Sequence, residues 1–354
     1  MINGYIDLRS DTVTHPTPAM REAMAKAEVG DDVLGDDRTA KRLEQLAAER
    51  MGHQAGLFVP SGTMGNLVAV LTHCGRGHEV IAGDRSHTLN NEQGGVAALG
   101  GVVPRAVPNQ ADGTLRLEDV ESAIQDDDPH HARTRLICLE NTQNATGGMP
   151  LDAVYTSSMA SLARRHGLKL HVDGARIFNA AVALGVPAAD LARDADSVTF
   201  CLSKGLSAPV GSVLCGSQDF IAEALRARKI VGGALRQAGV LAAAGIVALE
   251  MMVDRLAEDH ANAKRLAEGL ADTPGCAVDP DRIRTNMVYF DLTPDVPIDA
   301  PEVEQRLAER RVLLFAVGKR RFRAVTHAWV TKGEIDQALL AMRTVLAHRA
   351  PNRQ

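Results

Sequence analysis

The stretch Asp196-Ser197-Val198-Thr199-Phe200-Cys201-Leu202-Ser203-Lys204-Gly205 holds the lysine around which the chain's chemistry can be built. An apolar, β-rich run stops at Ser203-Lys204-Gly205 and passes into a loop of small residues, Leu206 to Gly211. Burial at a strand end disfavours the ammonium form of a lysine, and the neutral amine is a nucleophile for a carbonyl. Upstream, Leu168-Lys169-Leu170-His171-Val172-Asp173-Gly174-Ala175-Arg176 has the same shape. There a short apolar run delivers a carboxylate and then an arginine around a glycine. An aldehyde cofactor with a basic ring nitrogen needs this pair: a lysine for the Schiff base and an acid that keeps the pyridinium protonated. Taken singly, a lysine after a strand is a solvated loop residue and an Asp-Gly is a turn. Together, and in this order, they point to a pyridoxal-phosphate enzyme.

Two further stretches complete the constellation. Gly56-Leu57-Phe58-Val59-Pro60-Ser61-Gly62-Thr63-Met64-Gly65-Asn66 and the apolar run through Leu71 spell strand, small-residue turn, helix. The first N–H groups of such a helix lack partners and carry partial positive charge, which suits a phosphate. Gly62 lets the backbone approach and Thr63 can add a hydroxyl; the plain alternative is an N-cap by Ser61 or Thr63. A strand over 79–82 leads through Asp84-Arg85-Ser86 to His87. An imidazole at such a strand end can stack on a pyridine ring and handle protons. Aromatics are only 3% of the chain, so few other side chains are available to stack on a flat ligand.

The elements that must position these residues alternate. After a polar arm to about residue 37, helix is predicted over 39–52 and from Asn90 to Gly100. Strands follow at 102–107, 135–140, 169–172, 195–202 and 211–215, with helices at 117–126, 151–167, 176–185 and 217–230. A long helix over about 236–270 then leads to strands 286–292, 312–315 and 322–326 and helices 301–310 and 332–348. Strands alternating with helices predict an α/β fold: a mostly parallel central sheet with helices on both faces, its ligand at the strands' carboxyl ends. A smaller C-terminal α+β domain completes it, with the arm and large domain over 1–248 and the small domain over 249–354. The length of 354 residues suits two domains.

With 45% hydrophobic and 23% charged residues, the composition is that of an ordinary soluble protein. A net charge of −5 gives no positive field for nucleic acid or an anionic membrane. The basic cluster Lys319-Arg320-Arg321-Phe322-Arg323 reads as a solvated turn with one functional member. The five cysteines have no framework spacing, and no apolar run approaches twenty residues, so a cytoplasmic protein is expected. No metal ligand set is assigned.

Six stretches together resemble the L-threonine aldolases of the aspartate-aminotransferase-like (fold type I) pyridoxal-phosphate enzymes. They are Asp7-Leu8-Arg9-Ser10-Asp11-Thr12-Val13-Thr14, Pro60-Ser61-Gly62-Thr63, Leu139-Glu140-Asn141-Thr142, His171 through Asn179, Cys201-Leu202-Ser203-Lys204-Gly205 and Arg323-Ala324-Val325-Thr326-His327. The resemblance spans nearly the whole chain. It implies that Lys204 is the Schiff-base lysine with Ser203 beside it, that Asp173 pairs with the pyridine nitrogen, and that His87 stacks on the ring. Gly62 and Thr63 would hold the phosphate, helped by Lys229 and Arg236 from a neighbouring subunit. Arg176 would lie by cofactor and substrate, and Ser10, Arg176 and Arg323 would grip the substrate carboxylate. His130 matches a second active-site histidine, so the base is His87, His130 or a water. The implied reaction is retro-aldol cleavage of L-threonine or L-allo-threonine to glycine and an aldehyde, in a homotetramer with sites at a dimer interface. Leu34, Leu89 and Gln143 depart from the pattern at the substrate's side-chain end. β-Elimination and transamination would use the same anchors; a non-catalytic α/β scaffold would bind no cofactor.

Overall fold

In the computed structural model, which describes residues 2–347, the short apolar runs are strands and the Ala/Leu-rich segments between them are helices. In chain order the strands are β1 (Ile6–Asp7), β2 (Ala55–Val59), β3 (His78–Gly83), β4 (Val103–Val107), β5 (Arg133–Glu140), β6 (Lys169–Asp173) and β7 (Ser197–Cys201). There follow β8 (Ser212–Gly216), β9 (Cys276–Ala277), β10 (Met287–Leu292), β11 (Val312–Leu313), β12 (Phe315–Ala316) and β13 (Arg321–Val325).

Pro16–Val253 form one unit around a seven-stranded sheet of order β2-β8-β7-β6-β5-β3-β4. β8 is antiparallel to its neighbours β2 and β7, and the other strands share one direction. Helices cover the sheet, so a central strand is buried on both faces, as every residue of β7 is. The carboxyl ends of β2, β3, β5, β6 and β7 therefore share one edge, and each leads into one of the suspected stretches. Close packing enforces that convergence. A Cβ on Gly62 would sit 2.8 Å from Cys201 Sγ, and one on Gly65 would sit 2.5 Å from Thr199 Cγ2. The helix Gly62–His73 can lie on β7 only because both positions are glycine.

The described residues up to His15 and from Asp254 onward form the second unit. It holds an antiparallel sheet β12-β13-β10-β9, with Phe290 stacked on Phe322 at 4.9 Å, and a parallel pair β1-β11. The expected division kept the whole N-terminal arm with the large domain. Its described residues up to His15 instead belong to the smaller unit, where Ile6 and Asp7 pair with Val312 and Leu313.

Three expected elements divide. The Asn90–Gly100 helix becomes two single turns, His87–Asn90 and Gly95–Ala98, split where Gln93 and Gly94 take left-handed backbone. The 236–270 helix is Gly239–Met251 and Leu256–Ala271, interrupted where the chain passes from one unit to the other. The 312–315 strand is β11 and β12, which join different sheets. Residue 348, the expected end of the last helix, lies outside the described residues.

Candidate active site

Asp173 ends β6 with both carboxylate oxygens engaged. Oδ2 accepts from Asn66 Nδ2 at 2.8 Å, and Oδ1 accepts from the Ala175 N–H at 3.1 Å. Asn66 stands on the helix Gly62–His73, one turn beyond Ser61-Gly62-Thr63, so that helix start and Asp173 face one compartment. Ser61 Oγ caps the helix by accepting from Met64 N, as the N-cap alternative expects. The capping bond uses the Met64 donor and leaves Gly62 and Thr63 at the very start of the helix, where the dipole favours an anion.

His87 follows β3. Its backbone N–H donates to Glu140 Oε2 at 2.7 Å, and its Nδ1 lies 2.8 Å from Glu92 Oε1. The left-handed break at Gln93 and Gly94 leaves Glu92 directed inward, where Oε1 also accepts from Asn66 Nδ2 at 2.9 Å. Glu92's hydrogen bond raises His87 above the ordinary imidazole value. Burial and the Lys204 charge oppose this, and Asp173 supports it. Burial and Asp173 likewise raise Glu92 against the hydrogen bonds it receives. Glu140, buried at the end of β5 beside Asp173, is pushed up to about 7 by that burial. Lys204, half-buried with Ser203, opens the loop after β7, which closes through Ser207 N to the Lys204 carbonyl at 2.9 Å. Arg176 is 7% exposed just beyond Asp173, at the start of the helix Ile177–Leu184.

Lys204, Asp173, His87, Arg176, Gly62 and Thr63 thus belong to one edge of one sheet. Lys229 and Arg236 are exposed, and Arg236 pairs with Asp31 at 3.0 Å. His130 is a correction. It precedes β5, at the opposite end of that strand from Glu140, and its exposed ring bonds Asp128 at 2.7 Å. An eight-residue strand separates the two ends by about 20 Å, so this chain does not bring His130 to Lys204. Ser10 and Arg323 belong to the smaller unit, where Ser10 caps the turn Asp11–Val13 and Arg323 donates to the Arg9 carbonyl at 3.2 Å. Of the three departures, Gln143 is buried and engaged structurally: Nε2 donates to the Arg85 carbonyl and Oε1 accepts from Thr146 N. Leu34 is 73% exposed.

Asn66, Glu92 and Glu140 join the site although the sequence alone did not assign them to it. A polar Asn66 inside an apolar helical run was the available signal for the first. Glu140 ends a predicted strand, much as Asp173 follows one, which was the signal for it; no such pattern marks Glu92.

Residues 7–293 match the beta-eliminating lyase family. The chain is 49% identical to low-specificity L-threonine aldolase 1 of Arabidopsis thaliana over all of both chains. It is 46% identical to the low specificity L-threonine aldolase of Escherichia coli strain K12, over 97% of this chain and 99% of that one. Its fold superposes on Leishmania major threonine aldolase with a TM-score of 0.81 at 19% identity, covering 96% of this chain and 99% of that one. The chain belongs to the beta-eliminating lyase family.

Proposed function

We propose that the chain is a pyridoxal-phosphate-dependent aldolase that cleaves L-threonine, L-allo-threonine and related β-hydroxy-α-amino acids to glycine and an aldehyde. The observation that carries this is the meeting of four unlike groups at one sheet edge. They are the amine of Lys204, the carboxylate of Asp173, the imidazole of His87 and the N-terminus of the helix Gly62–His73. This donor set fits an aromatic aldehyde bearing a phosphate and a ring nitrogen. When bound, pyridoxal phosphate supplies the aldehyde that captures an amine and the protonated ring that accepts the electrons of a breaking bond.

Lys204 would hold the cofactor's aldehyde carbon through its amine, with Ser203 beside it. Asp173 holds the proton on the ring nitrogen and is itself held by two N–H donors. Gly62 and Thr63 bind the phosphate at the helix start, and Lys229 and Arg236 add charge to it from a neighbouring copy. Arg176 grips the substrate carboxylate through its planar fork; Ser10 and Arg323 enter this role through the family alone. His87 would lie against the ring and take the proton of the β-hydroxyl. Glu92 raises the affinity of His87 for that proton.

The assembly is a homotetramer. Val29, Val33, Leu34, Leu225 and Ile230 are exposed apolar side chains, with Ile230 at 83%, and a partner subunit would cover them. A cytoplasmic location fits five cysteines that are all free and buried. No helix among the described residues is long and apolar enough to cross a membrane.

The test is Lys204→Ala assayed with L-threonine, L-allo-threonine and phenylserine. Wild type should release glycine and aldehyde. The variant should lose the visible cofactor band and at least about 10³-fold in kcat. Ammonia plus a keto acid from wild type, or a variant that keeps the band, would overturn the assignment.

A further inference from the structure

His87, Glu92, Asn66 and Asp173 form one hydrogen-bonded network, and its protons can be placed. Asn66 Nδ2 lies 2.8 Å from Asp173 Oδ2 and 2.9 Å from Glu92 Oε1. Reversing the amide would set its oxygen against two carboxylates, so the nitrogen faces them. Asn66 Oδ1 must then accept from His171 Nε2, at 3.1 Å. His171 Nδ1 consequently accepts from Ser197 Oγ at 2.8 Å, and Ser197 Oγ accepts from His73 Nε2 at 2.8 Å. Burial holds His171 and His73 down to about 3 and 4, which keeps both rings neutral and this direction intact. Every donor in the row points toward Asp173 and Glu92. Glu92 Oε1, already an acceptor from Asn66, is an acceptor for His87 as well. The His87 proton therefore sits on Nδ1, and Nε2 carries the lone pair.

We propose that Glu92 is a positioning residue of this site: it fixes the His87 tautomer so that Nε2 receives the substrate hydroxyl proton, and Asn66 ties it to Asp173 so that both are held in one frame. The inference rests on the aldolase assignment. In the step concerned, the substrate O–H bond breaks with its electron pair left on oxygen, and the Nε2 lone pair forms the new N–H bond. The resulting imidazolium faces the Glu92 carboxylate. The other ionisable groups facing His87 and Glu92 are Asp173, Lys204, Glu140, whose Oε2 accepts the His87 backbone N–H, and the Cys138 thiol near Glu92. Glu92 alone among them contacts the imidazole through a ring nitrogen among the described residues.

The experiment compares wild type with Glu92→Gln and Glu92→Ala. The glutamine keeps an acceptor oxygen for Asn66 and His87 and removes the charge; the alanine removes both. In the holoenzyme, Glu92→Gln should keep the visible cofactor band and a KM within about threefold. Its kcat should fall about tenfold, and the acid limb of the kcat profile should move to lower pH. Glu92→Ala should lose about 10²-fold in kcat. In the cofactor-free protein, 15N NMR should report an Nδ1–H tautomer for His87 in wild type and a lower titration midpoint in Glu92→Gln. A wild-type acid limb in Glu92→Gln, changes confined to cofactor affinity or melting temperature, or an Nε2–H tautomer in wild type would each overturn the proposal. Wild type that releases no aldehyde sinks the aldolase assignment and this inference together; failure confined to the variants or the tautomer sinks this inference alone.

Discussion

At the scale of single residues, the site is a set of carboxylates given different tasks by their hydrogen bonds. Glu140 accepts from two backbone N–H groups, those of His87 and Asn144, and so anchors the turn that carries the imidazole. Asp173 accepts from a side-chain amide and one backbone N–H, which fixes its angle at the end of β6. Its replacement by asparagine keeps the shape and removes the charge that would retain a proton on a ring nitrogen. Asp173→Asn should therefore bind the cofactor, as seen by the visible band, while kcat falls by about 10²-fold or more. A kcat within threefold of wild type would deny Asp173 its role. Lys204, Asp173 and Arg176 were legible in the sequence because each ends or follows a short apolar strand. Glu92 was not, since only the left-handed break beside it turns the carboxylate inward onto His87 and Asn66; Glu140 shows the same strand-end position, but its bond to the His87 N–H spans the fold and leaves no local trace.

At the scale of elements, the turn Ser61-Gly62-Thr63 depends on how an edge strand is finished. β2 ends the seven-stranded sheet and pairs only with β8 there, which leaves the outward groups of Phe58 in need of partners. Side chains supply them: Glu44 Oε1 accepts the Phe58 N–H at 2.9 Å, and Arg228 donates to the Phe58 carbonyl at 2.8 Å. Arg228 also pairs with Asp32 at 2.8 Å, tying the 30–37 loop to the strand that leads into Ser61-Gly62-Thr63. With side-chain exposures of 2% and 9%, this pair is buried, and losing one member strands the other. Arg228→Met should cost about 3–5 kcal/mol in urea unfolding and weaken cofactor binding; a loss below about 1 kcal/mol would show that the edge does not depend on it. The periodic runs made this sheet readable, because a strand buried on both faces is apolar throughout. The edge clamp was hidden, since Arg228 sits among the charged residues of a helix end and looks like surface. The Asn90–Gly100 helix misled for the opposite reason: its Gly/Ala content suits a helix, but the inward-facing Glu92 and the left-handed residues beside it break the turn.

At the scale of the whole molecule, buried titrating groups set the pH range in which the chain stays folded. Burial holds His171, His73 and His260 down to about 3, 4 and 4, below the ordinary 6.5. Between those values the unfolded chain binds protons that the folded chain refuses, so their contribution is lost as the pH falls from 6.5 toward 3. Burial raises Glu44 and Glu140 to about 7 and Asp259 to about 6, from 4.5 and 3.8. These act with the other sign. The folded chain takes their protons first, so stability grows as the pH falls through 7 and 6, and the gain is complete near the unfolded values. Between about 4.5 and 6 the three histidines and three acids oppose one another nearly proton for proton. Below 4.5 the two glutamates have nothing further to give while His171 and His73 still resist protonation. Urea unfolding should accordingly show a free energy that falls more steeply with each pH unit below pH 4.5 than between pH 6 and 4.5. A free energy that keeps rising below pH 4.5 would mean that the buried acids outweigh the histidines, and that the His73–Ser197–His171–Asn66 row behind Asp173 is not held neutral by the fold.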